Sequence, residues 1–223
     1  MEQALPIIII GTGLAGYSLA REFRKLDDIT PILMLTRDDG HSYSKPMLST
    51  GFTKGKSAEA FSIADPGKMS AQLKVSIRNF TEVSRIDPDT NQLYIGTEVF
   101  AYKQLVLANG ASVNTLTFPG SDHTNILSIN DLMDYREFRQ KLNGKQRVLI
   151  MGAGLIGCEY ANDLLNGGYQ VTVVDPTETA LNGLIPAFAG KAVIQGLAQA
   201  GAQFKMQCFV KEVVDQGSHL LAI

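Results

Sequence analysis

One short glycine pattern occurs twice in the chain, each time directly after a run of apolar residues. The first copy reads IIIIGTGLAG and the second reads VLIMGAGLIG. The glycines of the two copies are Gly11, Gly13 and Gly16, then Gly152, Gly154 and Gly157. In each copy an amphipathic stretch follows the last glycine. The pattern predicts a buried parallel strand, a tight turn and a helix, twice over.

A glycine turn between strand and helix predicts a phosphate-binding site. The first glycine permits the tight turn, the second lets the backbone approach a pyrophosphate, and the third lets the helix pack close to the strand. Free N–H groups and the helix dipole at the start of the helix favour a negative charge there. Each copy therefore predicts a dinucleotide site. The alternative is a tight turn with a purely structural role.

The residue that ends the next strand bears on which dinucleotide is bound. In the second copy the predicted strand Val171–Val174 ends in Asp175, 18 residues after Gly157. A carboxylate there accepts hydrogen bonds from a ribose 2′-hydroxyl and repels a 2′-phosphate, so this copy is predicted to prefer NAD over NADP. The alternative is that Asp175 only caps a turn with Pro176.

The first copy has no acidic residue at the corresponding position. Its strand Ile32–Leu35 runs into Thr36 and Arg37. These two residues can meet an adenosine through hydroxyl, backbone and guanidinium groups. Asp38 is a weaker candidate for this contact and is predicted to be a solvated turn residue before Gly40.

Two copies 141 residues apart are too far apart for a solenoid repeat and predict two domains of one type. The predicted fold is α/β: two Rossmann-like dinucleotide-binding domains, residues 1–112 and 113–223, each a parallel sheet with helices plus a β-meander. Residues 41–67 have no strong periodicity, and residues 81–102 predict a meander. Residues 128–142 predict a helix that begins with a cap and buries one stripe, formed by Leu132, Tyr135, Phe138 and Leu142. Such twin domains suit an enzyme that passes a hydride between a bound flavin and a transient NAD.

Composition excludes several other classes of protein. Apolar residues make up 45% of the chain and charged residues 19%, with a formal net charge of −2, so no basic nucleic-acid surface is expected. The apolar run Ala4–Ile10 is too short for a membrane span, which predicts a cytoplasmic protein without membrane insertion. Cys158 and Cys208 lie 50 residues apart and the three histidines are scattered, so no metal site is predicted.

The motifs GTGLAG, LVLANGA and GAGLIGCE together resemble the pyridine nucleotide–disulfide oxidoreductase superfamily. The segment YSKPMLSTGFTKGKSA is similar, more narrowly, to the rubredoxin–NAD reductases. Ferredoxin reductases of the same superfamily carry an Arg-Pro-Pro-Leu-Ser-Lys pattern there. The resemblance covers essentially the whole chain.

The resemblance implies FAD in the first domain and NADH in the second, with electrons passing singly to rubredoxin, often in support of alkane hydroxylation. It also implies contacts for individual residues. The FAD pyrophosphate would lie on Thr12, Gly13, Leu14 and Ala15. The FAD adenosine would meet Thr36 and Arg37, with backbone of Val83 against the adenine. The flavin would lie against Lys45 and Pro46, and Glu159 would lie near the flavin–nicotinamide junction.

Physical chemistry supports these roles to different degrees. A lysine beside a flavin stabilises the charge that develops on reduction, which suits Lys45, although a solvated lysine is the alternative. Glu159 lies near the start of its predicted helix, where the helix dipole stabilises a negative charge. The alternative for Glu159 is therefore a purely structural role. Cys158 is predicted to be a packing residue, because disulfide exchange needs a close pair of cysteines and residues 41–50 contain none. Reduced flavin is therefore expected to pass electrons directly to a protein acceptor.

The family is longer than this sequence and continues with a return strand carrying a Gly-Asp motif and a C-terminal interface domain. A truncated product, a fragment or an incompletely predicted gene is therefore expected, with weak FAD binding and little NADH turnover. Two alternatives stay open: a ferredoxin reductase, and a non-catalytic nucleotide-binding module. The redox interpretation also expects the two glycine loops to face each other across a cleft.

Overall fold

The computed structural model describes residues 4–223, which form two compact units. The first unit contains the described residues up to Lys45 together with Ala60–Ser112, and the second contains Pro46–Glu59 and Val113–Ile223. The chain therefore passes from one unit to the other three times. Within the described residues, no helix combines the length and the apolar character needed to cross a lipid bilayer.

The first unit is built on a four-stranded parallel sheet. Its elements are β1 (Ile7–Ile10), α1 (Leu14–Arg24), β2 (Ile32–Leu35), α2 (Pro66–Leu73), β3 (Ser76–Arg78), β4 (Arg85–Asp87), β5 (Gln92–Ile95), β6 (Glu98–Ala101) and β7 (Gln104–Leu107). The sheet order is β3-β2-β1-β7. The predicted strands and the strand–turn–helix order of the first copy are confirmed.

Alternate residues of β1 pack into two different clusters, as the period of a strand requires. Ile9 packs with Tyr17 of α1 and Met69 of α2 on one face of the sheet. Ile8 packs with Leu93 of β5 on the other face. The apolar run predicted to be buried on both sides is therefore covered by helices on one side and by the meander on the other.

The meander of the first unit is the antiparallel sheet β4-β5-β6. It begins at Arg85, four residues later than the predicted start at Thr81. Thr81 instead donates its N–H to the carbonyl oxygen of Thr36 at 2.8 Å, which ties this stretch to the end of β2. Residues 81–84, predicted to start a strand, therefore belong to the connection between β3 and β4.

The second unit repeats the strand–helix arrangement with fewer strands. Its elements are α3 (Leu132–Lys141), β8 (Arg147–Met151), α4 (Leu155–Asn166), β9 (Gln170–Asp175), α5 (Ala187–Gln199), β10 (Gln203–Met206), β11 (Val213–Asp215) and β12 (Leu220–Ala222). Parallel strands lie in the order β10-β9-β8, and β11 and β12 form an antiparallel hairpin. The antiparallel part is therefore narrower than the meander of the first unit.

Helix α3 begins with a complete capping box. Asp131 accepts a hydrogen bond from the N–H of Asp134, whose own carboxylate accepts from the N–H of Asp131. Such reciprocal bonds satisfy two of the free N–H groups at the start of a helix. On α3, Phe138 packs edge-on against Tyr160 of α4, with ring centroids 5.8 Å apart. This confirms the cap and the buried stripe predicted for the helix.

The division into units differs from the predicted boundary at 112/113 in one segment. Residues 46–59, which the sequence boundary assigns to the first domain, pack within the second unit. The segment starts in a 3₁₀ helix, Lys45–Thr50. Its Phe52 ring lies edge-on to Tyr169, at a centroid distance of 5.2 Å. The difference has a physical reason, because the contact partners of this polar segment lie more than 80 residues further along the sequence.

The two glycines inside α5 give a matched test of the packing around that helix. An added Cβ at Gly190 would lie 2.3 Å from the carbonyl oxygen of Ala180, whereas at Gly196 it meets no described atom within 4 Å. We expect Gly196→Ala to raise the free energy of unfolding by about 0.5–1 kcal/mol, because alanine loses less backbone entropy on folding. Gly190→Ala should lower it. Urea denaturation of both variants measures the difference, and equal effects would contradict the packing described for Gly190.

Candidate functional site

The first glycine loop is held by direct backbone packing. Gly11 has φ +112°, and a Cβ added there would lie 2.1 Å from the carbonyl oxygen of Ala108. A Cβ on Gly16 would lie 2.0 Å from the carbonyl oxygen of Gly11. Neither position has room for a side chain. Gly11 and Gly16 are therefore required by the backbone packing of the loop itself.

The middle glycine of the first loop is different, because the space beside it is open. Gly13 has φ −69°, and apart from Gly13 and its neighbours in the chain no described atom lies within 4 Å of its ideal Cβ position. It is the N-cap of α1 and provides no side-chain hydrogen bond to the N–H groups there. Thr12 is buried and Leu14 is exposed. The loop thus leaves N–H groups and space for a phosphate, as a dinucleotide requires.

The second loop has the same construction. Gly152 has φ +111°, and a Cβ on Gly157 would lie 2.0 Å from the carbonyl oxygen of Gly152. Gly154 is the N-cap of α4 with φ −73°, and the described residues leave the space around its Cβ position empty to 4 Å. The residues of both loops therefore fit the pyrophosphate of a dinucleotide.

Asp38 is tied to the first loop, which corrects its prediction as a solvated turn residue. Its side chain is partly buried, and Oδ1 accepts hydrogen bonds from the hydroxyl of Thr36 at 2.7 Å and the N–H of Gly40 at 2.9 Å. The Thr12 hydroxyl also donates to it, at 3.3 Å. The Thr36 hydroxyl therefore points to Asp38. The contacts of Thr36, Arg37 and Val83 with an adenosine stay predictions.

Asp175 lies at the end of β9 and binds the second loop. Its Oδ2 accepts from the N–H of Ala153 at 2.7 Å, and its Oδ1 accepts from the N–H of Thr177 at 2.7 Å and from the Thr177 hydroxyl. Burial acts to raise the pKa of this carboxyl, but the hydrogen bonds from Thr177 and Ala153 outweigh it, so the pKa lies below its ordinary value. Asp175 therefore caps this turn, and its contact with a ribose stays a prediction.

The two residues predicted to act on the flavin lie in different units. Lys45 is exposed and starts the 3₁₀ helix Lys45–Thr50, followed by the exposed Pro46. Glu159 is exposed on α4, and its Oε2 accepts a hydrogen bond from the hydroxyl of Ser49 at 2.7 Å. Glu159 is therefore brought together with the 46–59 segment. The catalytic roles of Lys45 and Glu159 stay predictions.

Sequence reasoning missed Asp163, which lies one turn after Glu159 on α4. Its side chain is fully buried, and it accepts hydrogen bonds from the N–H groups of Phe52 at 3.1 Å and Thr53 at 2.7 Å. An acidic residue among the buried positions of an amphipathic helix is the signal that could have identified it.

Cys158 is buried, and its Sγ lies 3.4 Å from the carbonyl oxygen of Ala153. Burial, with a smaller contribution from the charge of Asp175, raises the pKa of its thiol. A protonated buried thiol is a poor nucleophile, which agrees with the predicted packing role. Cys208 is exposed, and both cysteines are free thiols.

The depressed pKa of Asp175 predicts a pH-dependent contribution to stability. A carboxyl whose folded pKa is lowered stabilises the fold above its unfolded pKa of about 3.9, and this contribution is lost as the pH falls through the folded pKa. Asp175→Asn should therefore be less stable than wild type at pH 7, and the difference should shrink below about pH 4. Urea denaturation at pH 7, 5, 4 and 3 tests this. A constant difference at every pH would contradict it.

Comparison with known proteins places the chain in a family. The model of the family described as pyridine nucleotide-disulphide oxidoreductase matches residues 5–222. Over 208 residues the chain is 48% identical to a rubredoxin-NAD(+) reductase from Alcanivorax borkumensis, covering 93% of this chain and 54% of that protein. A protein of the same name from Acinetobacter baylyi is 44% identical over 214 residues, with the same coverage of 93% and 54%. The chain thus spans about half the length of the curated relatives it matches.

Solved structures share the fold. An NADH:rubredoxin oxidoreductase from Clostridium acetobutylicum has a TM-score of 0.81 and 21% identity, covering 92% of this chain and 53% of its own. A water-forming NADH oxidase from Lactobacillus brevis, bound to NADH, has a TM-score of 0.88 and 18% identity, covering 98% of this chain and 50% of its own. The predicted α/β fold is confirmed. So are the oxidoreductase family and its cofactors, FAD and NAD, at the level of the family. The chain therefore belongs to the pyridine nucleotide-disulphide oxidoreductase family.

Proposed function

We propose that the protein carrying this sequence is an FAD-dependent reductase that takes electrons from NADH and passes them to rubredoxin. The observation that carries the proposal is the pair of glycine loops, each with an open middle glycine at the start of a helix. One chain with two such loops suits an enzyme that holds two dinucleotides at once. The 48% identity to the rubredoxin-NAD(+) reductase from Alcanivorax borkumensis supports the same function.

The first loop is assigned to FAD and the second to NADH. Thr12, Gly13, Leu14 and Ala15 would surround the FAD pyrophosphate, while Thr36, Arg37 and Val83 would lie along its adenosine. The first loop suits a permanently held group, because it is braced by the backbone of Ala108 as well as by Asp38. A Cβ on Gly152 would meet no described atom within 4 Å, so the second loop is more open.

Asp175 would select NADH over NADPH. Its hydrogen bonds with Ala153 and Thr177 hold a negative charge at the end of β9, beside the second loop. A charge in that position repels a 2′-phosphate and accepts from a 2′-hydroxyl. Structural and selective roles are compatible, since a carboxylate has about four acceptor sites.

Lys45 and Glu159 are proposed to act at the flavin. Bound FAD supplies the step from a two-electron hydride to one-electron transfer. The Lys45 ammonium would place a positive charge where negative charge develops. Ser49 fixes one oxygen of Glu159, so this carboxylate is oriented in advance.

Electrons are proposed to leave directly to a protein. Within residues 4–223, Cys158 is buried and Cys208 is exposed, and both are free thiols, so neither belongs to a disulfide that could relay the electrons. A small electron carrier is then the simplest acceptor. Rubredoxin is proposed because it is named in both rubredoxin-NAD(+) reductases compared above. Support of alkane hydroxylation in the cytoplasm is the proposed context.

Acceptor choice is tested with the FAD-loaded protein. We expect NADH to reduce rubredoxin at least about tenfold faster than a ferredoxin, which corresponds to roughly 1.4 kcal/mol of transition-state preference, and NADPH to be a poor donor. Absorbance of the carrier measures the rate. A faster reaction with ferredoxin would favour a ferredoxin reductase. A protein that neither binds FAD nor oxidises NADH would be a nucleotide-binding module.

The open middle glycines give a test of where each cofactor binds. Gly13→Ala should weaken FAD binding about tenfold or more and leave the unfolding of the FAD-free protein nearly unchanged, because the added methyl enters only the space proposed for phosphate. Gly154→Ala should do the same for NADH. Fluorescence titration measures both affinities.

Gly16→Ala serves as the contrasting control, because its methyl would collide with the carbonyl oxygen of Gly11 at 2.0 Å and lower the stability of the protein itself. Unchanged FAD affinity in Gly13→Ala would remove the first loop from the proposed site.

A further inference from the structure

The 46–59 segment packs closely between two helices of its unit. A Cβ on Gly51 would lie 2.0 Å from Oη of Tyr135 in α3, and a Cβ on Gly167, at the end of α4, would lie 2.8 Å from the ring of Phe52. Tyr135 is fully buried. The segment therefore has no room to shift toward either helix.

The Phe52 ring also anchors the segment to α3. The guanidinium of Arg139 lies 4.0 Å from the centroid of the Phe52 ring, and its Nη1 donates to the carbonyl oxygen of Lys56 at 2.9 Å. Cation–π contact and hydrogen bond thus bind one arginine to two points of the segment.

Three successive turns of α4 hold the same segment through polar side chains. Glu159 accepts from Ser49, Asp163 accepts from the N–H groups of Phe52 and Thr53, and Asn166 Nδ2 donates to Oγ1 of Thr53 at 2.9 Å. Positions separated by four and then three residues lie on one face of a helix. From Glu159 to Asn166, one face of α4 therefore binds the segment.

The carboxylate of Asp163 has a cost that packing alone does not explain. A buried carboxylate must give up its hydration, and an apolar residue of similar size is often as good or better for stability. Both oxygens of Asp163 are instead used on consecutive backbone N–H groups, which fixes the direction of the chain at that point. The two hydrogen bonds of Asp163 therefore fix the position of the backbone at Phe52 and Thr53.

The fixed position extends back along the chain to the proposed flavin contacts. The Ser49 hydroxyl lies within hydrogen-bonding distance of both Oε2 of Glu159, at 2.7 Å, and the carbonyl oxygen of Pro46, at 3.2 Å. The Thr50 hydroxyl donates to the carbonyl oxygen of Met47 at 2.7 Å. Pro46 is therefore joined to the clamped part of the segment by a short, internally bonded helix.

We propose that Asp163 is a positioning residue of the reductase reaction. By binding the amides of Phe52 and Thr53 it holds the 46–59 segment, and thereby sets where Pro46 and the preceding Lys45 lie for electron transfer at the flavin. The inference rests on the proposed function, because Lys45 and Pro46 matter in this way only if they contact FAD.

The test compares Asp163→Asn with Asn162→Ala, a change at the adjacent, exposed position of the same helix. Both variants are loaded with FAD and studied well below their melting temperatures, with rates expressed per bound flavin. Hydrogen exchange of the Phe52 and Thr53 amides reports whether their hydrogen bonds to Asp163 are intact. Stopped-flow absorbance reports flavin reduction across a range of NADH concentrations.

In Asp163→Asn we expect faster exchange of the two amides and a fall of about 10- to 100-fold in the limiting rate of flavin reduction, with little change in the NADH concentration for half-maximal rate. Asn162→Ala should match wild type in amide exchange, in the limiting rate of flavin reduction and in the NADH concentration for half-maximal rate. A merely structural role would lower the melting temperature and leave the rate per bound flavin unchanged.

A wild-type rate in Asp163→Asn, despite faster amide exchange, would overturn the inference, and so would unchanged exchange. If Asp163→Asn does not fold, Gly167→Ala replaces it in the test, because its methyl group displaces the Phe52 ring and leaves the Asp163 carboxylate unchanged. The same changes in amide exchange and in the rate of flavin reduction then support or overturn the inference. Failure of NADH to reduce the wild-type flavin would instead refute the proposed function.

Discussion

Direct contact between backbone atoms at the glycine loops is the constraint on which the rest of the structure depends. A Cβ on Gly16 or Gly157 would lie 2.0 Å from the carbonyl oxygen of the first glycine in its own loop. Because no side chain separates them, α1 and α4 each start against the end of a strand. Their first N–H groups are thereby brought beside an open glycine, where a phosphate can bind. A methyl group at either position would disturb both packing and binding.

An acidic residue after the second strand braces each loop, but the two units achieve this with different chemistry. Asp38 accepts from the hydroxyl of Thr12, whereas Asp175 accepts from the backbone N–H of Ala153. In both cases the donor is the residue after the first glycine. Both loops must be held in a fixed position. The acidic residue can therefore be the last residue of the strand, as Asp175 is, or lie three residues after it, as Asp38 does.

The 46–59 segment shows how a stretch without hydrophobic periodicity can still have a defined position. Its backbone amides are held by Asp163 and its Phe52 ring by Arg139, so polar groups and one aromatic ring replace an apolar stripe. Buried hydrogen bonds to a charged group are stronger and more directional than apolar contacts. The segment links the proposed flavin contacts to α4, which connects the fold to the proposed chemistry.

The sequence by itself determined the two strand–glycine–helix units, the meander and the cap of α3, because each depends on residues close together in the chain. It did not reveal α5, whose glycines at 190 and 196 weaken the helical pattern, nor the bonds of Asp38. Only the tertiary structure assigned residues 46–59 to the second unit and identified Asp163 as their partner, since the bond from Thr53 spans 110 positions. Local patterns record which face of an element is apolar. The partner of a buried charge is decided by the packing of distant elements, which no short pattern encodes.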